Sequence, residues 1–276
     1  MQNPCVDAQW ETRVVAVDGV RSPVRIGGPE SADPVLFVHG NNAGADWGPL
    51  ANRVAEFARV IAPELPGFGA ADKPPDWGYT VAHYAAHLDG LLSQIETRPV
   101  ALVAHDFGGP FALAWAADHL DRTAGITLIN TPRRINHTAA KIWRTPVLGE
   151  LSGMIANAPT LRAVMNRTDP GLPEEHRDQI IEHLLVPGTK RAVVELYRST
   201  GEHAIEPYVD RLAKFTGDVL IVWGDKDAYI GQEQAEEQRR IFHSARVEVI
   251  AGAGHWPWLE QPEVVAGHLT GFLRGA

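Results

Sequence analysis

Asp106 stands in LVAHDFGGP, Leu102 to Pro110, where an apolar run ends in a turn of small residues. Ala104 and Gly108, two positions to either side, suit a sharp strand-to-helix turn that exposes the central side chain. A carboxylate presented this way is ionised without help from a base. It suits displacement at a saturated carbon, which leaves an alkyl ester on the protein. Two later stretches could complete a hydrolysis. Gly224-Asp225-Lys226-Asp227 and Gly252-Ala253-Gly254-His255-Trp256 each follow an apolar run. The chain order is then carboxylate, acid, histidine, with Asp225 or Asp227 as the acid. A histidine freed from activating the nucleophile can activate water against the ester, and the acid holds its tautomer. A fourth stretch, His39-Gly40-Asn41-Asn42, ends another apolar run. Asp106 alone could be a helix N-cap; four coincident strand ends make chemistry the better reading.

The elements that must carry these residues follow from periodicity. ETRVVAVDGVRSPVRIGG alternates and turns at Asp18-Gly19, as an antiparallel hairpin does. PVLFVHG, ARVIAPELPG, RPVALVAH, GITLIN, GDVLIVWGDKD and RVEVIAGAGHW read as buried strands. Helix-like segments, DWGPLANRVAEF, VAHYAAHLDGLLSQI, PFALAWAADHL and PEVVAGHLTGFL, alternate with them. That pattern predicts an α/β fold with a mostly parallel central sheet flanked by helices. From about Arg133 to Lys214 the rhythm breaks into helix-like pieces, chiefly IWRTPVLGELSGMI, HRDQIIEHLLV and KRAVVELYRST. In a doubly wound sheet, ligands bind beyond the carboxyl ends of the strands, where all four stretches lie.

Bulk properties exclude several classes. Hydrophobic content is 45% and charged content 21% over 276 residues, as for a soluble chain with a real core. Net charge is −9 with no basic block, which argues against nucleic acid or an anionic membrane as main partner. One cysteine, Cys5, allows no internal disulfide. The histidines show no HExxH spacing, so no metal is expected. MQNPCVDAQWETR has no apolar signal core, and no apolar run is long enough to span a bilayer. The expectation is a cytoplasmic protein, monomer or homodimer, that needs no cofactor and takes a small apolar substrate with water as second reactant.

Motif order, strand-end residues and the helical insertion resemble the α/β-hydrolase superfamily over nearly the whole chain. The aspartate at the bend is similar to the branch of epoxide hydrolases and haloalkane dehalogenases. The resemblance implies an α/β-hydrolase core over 1–132 and 215–276, with a helical cap over 133–214 inserted after the sixth strand. It also implies that Asp227 is the acid and Asp225 a turn residue. The backbone N–H groups of Asn41 and Phe107 are expected to hold the oxyanion of ester hydrolysis. An opening epoxide needs a proton; a leaving halide needs only N–H donors. Tyr197 before Arg198, in ELYRST, resembles the Tyr-Arg pair of an epoxide hydrolase cap, which implies Tyr197 as the ring-opening acid.

Other matches divide. His105 before Asp106 resembles the epoxide hydrolases, and Phe107 stands where dehalogenases carry a halide-holding Trp. Asn41 matches the dehalogenase Asn, and Asn42 replaces a usual Pro. Tyr208 is the one other cap tyrosine, and Trp143 could be a second donor or a halide residue. FGGPFALAWAADH lacks the arginines of fluoroacetate-type dehalogenases. His39, Trp143 and Trp256 are expected in the substrate pocket, with Met154, Ile155, Leu161, Val164 and Met165 as apolar lining. Epoxide hydrolysis leads; haloalkane dehalogenation is the alternative, ahead of carboxylester hydrolysis or a non-catalytic ligand-binding protein.

Overall fold

The computed structural model describes residues 10–275, so Cys5 and the N-terminal stretch MQNPCVDAQ lie outside the described residues. Strands β1 (Trp10–Val17) and β2 (Val20–Gly27) pair antiparallel. Their two-residue turn has positive φ at both Asp18 (50°) and Gly19 (81°), which matches the strand twist. The other strands are β3 (Pro34–Val38), β4 (Arg59–Pro63), β5 (Val100–His105), β6 (Thr123–Ile129), β7 (Asp218–Gly224) and β8 (Ala245–Ile250). They form one eight-stranded sheet, β1-β2-β4-β3-β5-β6-β7-β8, parallel from β4 to β8.

Helices cover both faces because every central strand is apolar on both sides. Leu36 and Val38 of β3 join one core cluster with Leu88 and Leu92 of α2 (Val81–Ile95) and Phe111 of α3 (Gly108–Asp118). Val35 and Phe37 join the other, with Val54 of α1 (Gly48–Ala55). Between β6 and β7 the chain carries, among the described residues, helices and no strand: α4 (Thr138–Arg144), α5 (Leu148–Ile155), α6 (Ala158–Thr168), α7 (Glu174–Leu185), α8 (Thr189–Ser199) and the single turn α9 (Val209–Leu212). The remaining helices are α10 (Glu233–Arg239), α11 (Pro257–Glu260) and α12 (Pro262–Gly275), whose Val265 and Leu269 belong to the second cluster. Among the described residues no helix is long and apolar enough to cross a membrane.

Two local readings need correction. IWRTPVLGELSGMI is not one piece: the chain leaves the helix at Thr145 (φ −76°, ψ 120°) and restarts after Val147. Pro146 is the cause, because proline drives the preceding residue out of the helical region. Helix α6, absent from the periodicity reading, is started by Asn157, whose side chain accepts from the Thr160 N–H. The inserted helices are tied to the sheet domain by polar contacts. Gln179 and His183 of α7 reach Asp46 at 3.0 Å each, and the Ser199 hydroxyl donates to the Tyr79 carbonyl at 2.6 Å.

Helix α3 lies hard against β3. A Cβ on Gly108 would sit 2.1 Å from the Val38 carbonyl oxygen, whereas one on Gly271, exposed in α12, would meet nothing within 4 Å. Gly108→Ala is therefore expected to cost about 1–3 kcal/mol in urea denaturation. Gly271→Ala is expected to be neutral or to gain up to about 1 kcal/mol. Equal effects at the two sites would refute the close-approach argument.

Candidate active site

Asp106 occupies the turn between β5 and α3 with φ +50°. Only tight surroundings keep a non-glycine residue in that region. A Cβ on Gly40 would come within 2.5 Å of the Asp106 carboxylate, so the loop after β3 approaches it as bare backbone. The Asn41 N–H donates to Asp106 Oδ2 at 3.0 Å, and the Phe107 N–H also bonds the carboxylate. Burial raises the Asp106 pKa, opposed by nearby His255 and by these two donors.

His255 follows β8. Its Nδ1 lies 2.8 Å from Asp227 Oδ2, and its Nε2 lies 4.0 Å from Asp106 Oδ1. Asp227, after β7, also accepts from the Tyr229 and Ile230 N–H groups (2.8 and 3.0 Å) and from the Asn130 amide (2.7 Å). Burial opposes ionisation of Asp227, yet His255 and these donors hold it below its ordinary value. Burial also disfavours the His255 imidazolium, but attraction to Asp227 and then Asp106 prevails, and its pKa rises to about 9. Asp225 points elsewhere: it accepts from the Gly252 N–H at 2.6 Å and pins the β7 and β8 loops together.

Tyr197, on α8, is buried with its hydroxyl at the same place. Asn41 Nδ2 approaches the hydroxyl at 3.1 Å and His137 Nε2 at 3.2 Å. His137 Nδ1 accepts from the Ala140 N–H at 3.2 Å, so Nε2 carries the proton and donates to Tyr197. Burial, then repulsion from His255, lowers the His137 pKa to about 4, so it stays neutral. The Tyr197 oxygen thus accepts two bonds, and its own O–H is left to point into the cavity. His137 went unnoticed in the sequence. The one available signal was its place just before a helix, where it serves as the N-cap.

A cavity of about 230 Å³ opens between the strand ends and the inserted helices, lined by Asn41, Asp106, Trp143, Tyr197, His255 and Trp256 among others. Leu161, Val164 and Met165 line it as expected. Three residues do not. His39 is fully buried, with Nδ1 donating to the Gly40 carbonyl and Nε2 accepting from the Leu65 N–H, so neither ring nitrogen is left for a ligand. Met154 and Ile155 are 77% and 69% exposed, on the side of α5 away from the cavity. The Phe107 ring packs edge-on against Tyr197 at 4.9 Å and leaves only its N–H at the carboxylate. Tyr208 packs beside Arg211, away from the cavity. His105 sits beneath the turn, its Nε2 donating to the His255 carbonyl at 2.8 Å. Asn130, with φ +41°, and Tyr229, whose ring stands 5.1 Å from that of His255, are further residues that the sequence reading passed over. Among the described residues no three His, Cys, Asp or Glu side chains are grouped to hold a metal ion.

The raised pKa gives a signed prediction. Stability from His255 protonation is fully present below pH 6.5 and is lost as pH rises through about 9. Asp227→Asn removes the larger attraction, so the imidazole is expected to titrate at clearly lower pH by NMR. Asp106→Asn is expected to lower it less. An unmoved titration in Asp227→Asn would contradict this account.

Three sequence relatives carry different names. A 2-hydroxy-6-oxo-2,4-heptadienoate hydrolase of Pseudomonas putida is 27% identical, over 90% of this chain and 91% of its own. Epoxide hydrolase 2 of Caenorhabditis elegans is 23% identical, over 96% and 80%. A haloalkane dehalogenase of Mesorhizobium japonicum is 27% identical, over 85% and 81%. The alpha/beta hydrolase family model matches residues 35–268, and with the parallel sheet and its strand-end site, the chain belongs to the alpha/beta hydrolase family.

Proposed function

We propose that this hydrolase works through an alkyl ester on Asp106 and that its substrate is a small apolar epoxide, opened to a diol. The observation that carries this reading is the Tyr197 hydroxyl, which accepts from both Asn41 and His137 and keeps its proton for a ligand in the cavity. In the first step Asp106 attacks a ring carbon, the C–O bond breaks, and Tyr197 protonates the departing alkoxide. Esterification removes the Asp106 charge. With it goes one of the attractions that hold His255 protonated, and the imidazolium proton passes to the Tyr197 phenolate, which restores Tyr197 and leaves a neutral His255. His255 then takes a proton from water, which attacks the ester carbonyl. The Asn41 and Phe107 N–H groups, already aimed at the carboxylate, stabilise the oxyanion. Collapse expels the diol as its alkoxide, which takes the proton of the carboxylic acid left on Asp106, so the diol departs and Asp106 is again ionised. In this reading 133–214 act as the cap that brings Tyr197 and His137 over the core of 1–132 and 215–276.

One observation favours haloalkane dehalogenation as the second reading. The indole N–H of Trp256, in the cavity wall, is buried without a hydrogen-bond partner, and a halide could accept from it. Against that reading, the Asn41 amide donor is turned to Tyr197.

The test uses His255→Gln, in which the ester should accumulate, exposed separately to epoxides and to haloalkanes. A hydroxyalkyl mass on Asp106 from epoxides alone is the expected result. An alkyl adduct with halide released would transfer the assignment to the dehalogenase reading, and no adduct from either set would overturn the Asp106 chemistry. Tyr197→Phe is expected to slow epoxide turnover by roughly 10²–10⁴-fold, the usual weight of a positioned acid. An unaffected kcat would remove Tyr197 from that role.

A further inference from the structure

Helix α5 is built inside out. Its small residues Ser152 and Gly153, with Ala156 just past its end, turn inward and line the cavity. Its large apolar residues, Leu148, Leu151, Met154 and Ile155, turn outward and are 48–77% exposed. Leu148, Leu151 and Ile155 follow the i, i+3, i+7 spacing of one helical face. Of the ten large apolar side chains exposed among the described residues, seven lie between Ile142 and Val164. Clustered exposure of this kind marks an interaction surface rather than the scatter normal for a monomer.

Charge narrows the choice of partner. Residues 138–167 hold Lys141, Arg144, Arg162 and Arg167 against the single acid Glu150, which Arg198 binds at 2.6 and 2.7 Å. Arg162 is ion-paired with Asp178 and Glu174. Lys141 and Arg167 are exposed, and Arg144 donates to three backbone carbonyls, with Glu202 near enough to attract its charge. Across 133–214 there are twelve Lys and Arg against ten Asp and Glu, and elsewhere thirteen against twenty-four. The negative net charge of the chain is thus segregated away from this face. A surface senses charge within a screening length of about 8–10 Å, so local charge decides, not the total of −9.

We infer that the outward face of α5 docks on an anionic lipid surface, with its apolar residues in the headgroup boundary and the neighbouring cations on the phosphates. Such binding needs an apolar stripe and cations, not a spanning helix. A second copy fits less well, because a symmetric pairing would bring two cation-rich faces together. The cavity lies directly beneath α5, so an apolar substrate dissolved in the bilayer could enter it without crossing water.

The full chain would be sedimented with phosphatidylcholine vesicles and with equimolar phosphatidylcholine and phosphatidylglycerol vesicles. Binding is expected at low salt, at least tenfold stronger on the anionic vesicles, and weaker as salt is raised. The double variant Leu151→Glu, Met154→Glu should lose at least tenfold. Val264→Glu, at an exposed valine on α12, should lose nothing, and thermal unfolding checks that both variants are folded. No binding to anionic vesicles at low salt, or equal loss in both variants, overturns the proposal. So does a dimer that the double variant dissolves while the unaltered chain ignores vesicles; a second copy would then be the occupant.

Discussion

The turn at Asp106 is the constraint on which the rest of the site depends. Its φ of +50° is costly for a residue with a side chain, by an amount on the order of 1–3 kcal/mol. What holds it is close backbone approach on three sides. The Gly40 backbone presses on the carboxylate, Gly108 fits under the β3 carbonyls, and a Cβ on Gly109 would strike Thr131 at the end of β6. The ends of β3 and β6, on either side of β5, therefore determine one side-chain direction. The same geometry aims the N–H groups of Asn41 and Phe107 at the carboxylate.

A single imidazole between two carboxylates supplies the charge logic. Asp227 is held ionised by His255, Asn130 and two backbone donors, so it acts as a fixed negative charge. Asp106 is the charge that changes in the proposed reaction. With both present, His255 is an acid; when Asp106 becomes a neutral ester, the balance moves toward a base. The switch needs no moving part, only the 4.0 Å separation between His255 Nε2 and Asp106.

The inserted helices act on two sides at once. Inward, α8 and the start of α4 bring Tyr197 and His137 to the strand ends. Outward, α5 exposes the apolar residues that an ordinary amphipathic helix would bury. Polar ties such as Gln179 to Asp46 set the inner position.

Much of the frame was legible in the sequence, because strand and helix periods follow from burial on two faces or one. The hairpin at Asp18-Gly19, six parallel strands and the helical insertion after β6 needed only local pattern and chain order. The turn residues around Asp106 were legible for the same reason: small neighbours are a local requirement. Orientation was not. Periodicity marked Met154 and Ile155 as apolar but could not say that they face solvent, and His39 stood at a strand end yet is sealed by its own backbone. His137 owes its tautomer to one helix N-terminus and its place to a tyrosine sixty residues away. The sequence alone determined which groups can do chemistry and on which elements they ride. Tertiary packing alone decided which of them meet, because contacts between distant segments depend on how helices seat on the sheet, and no local period encodes that.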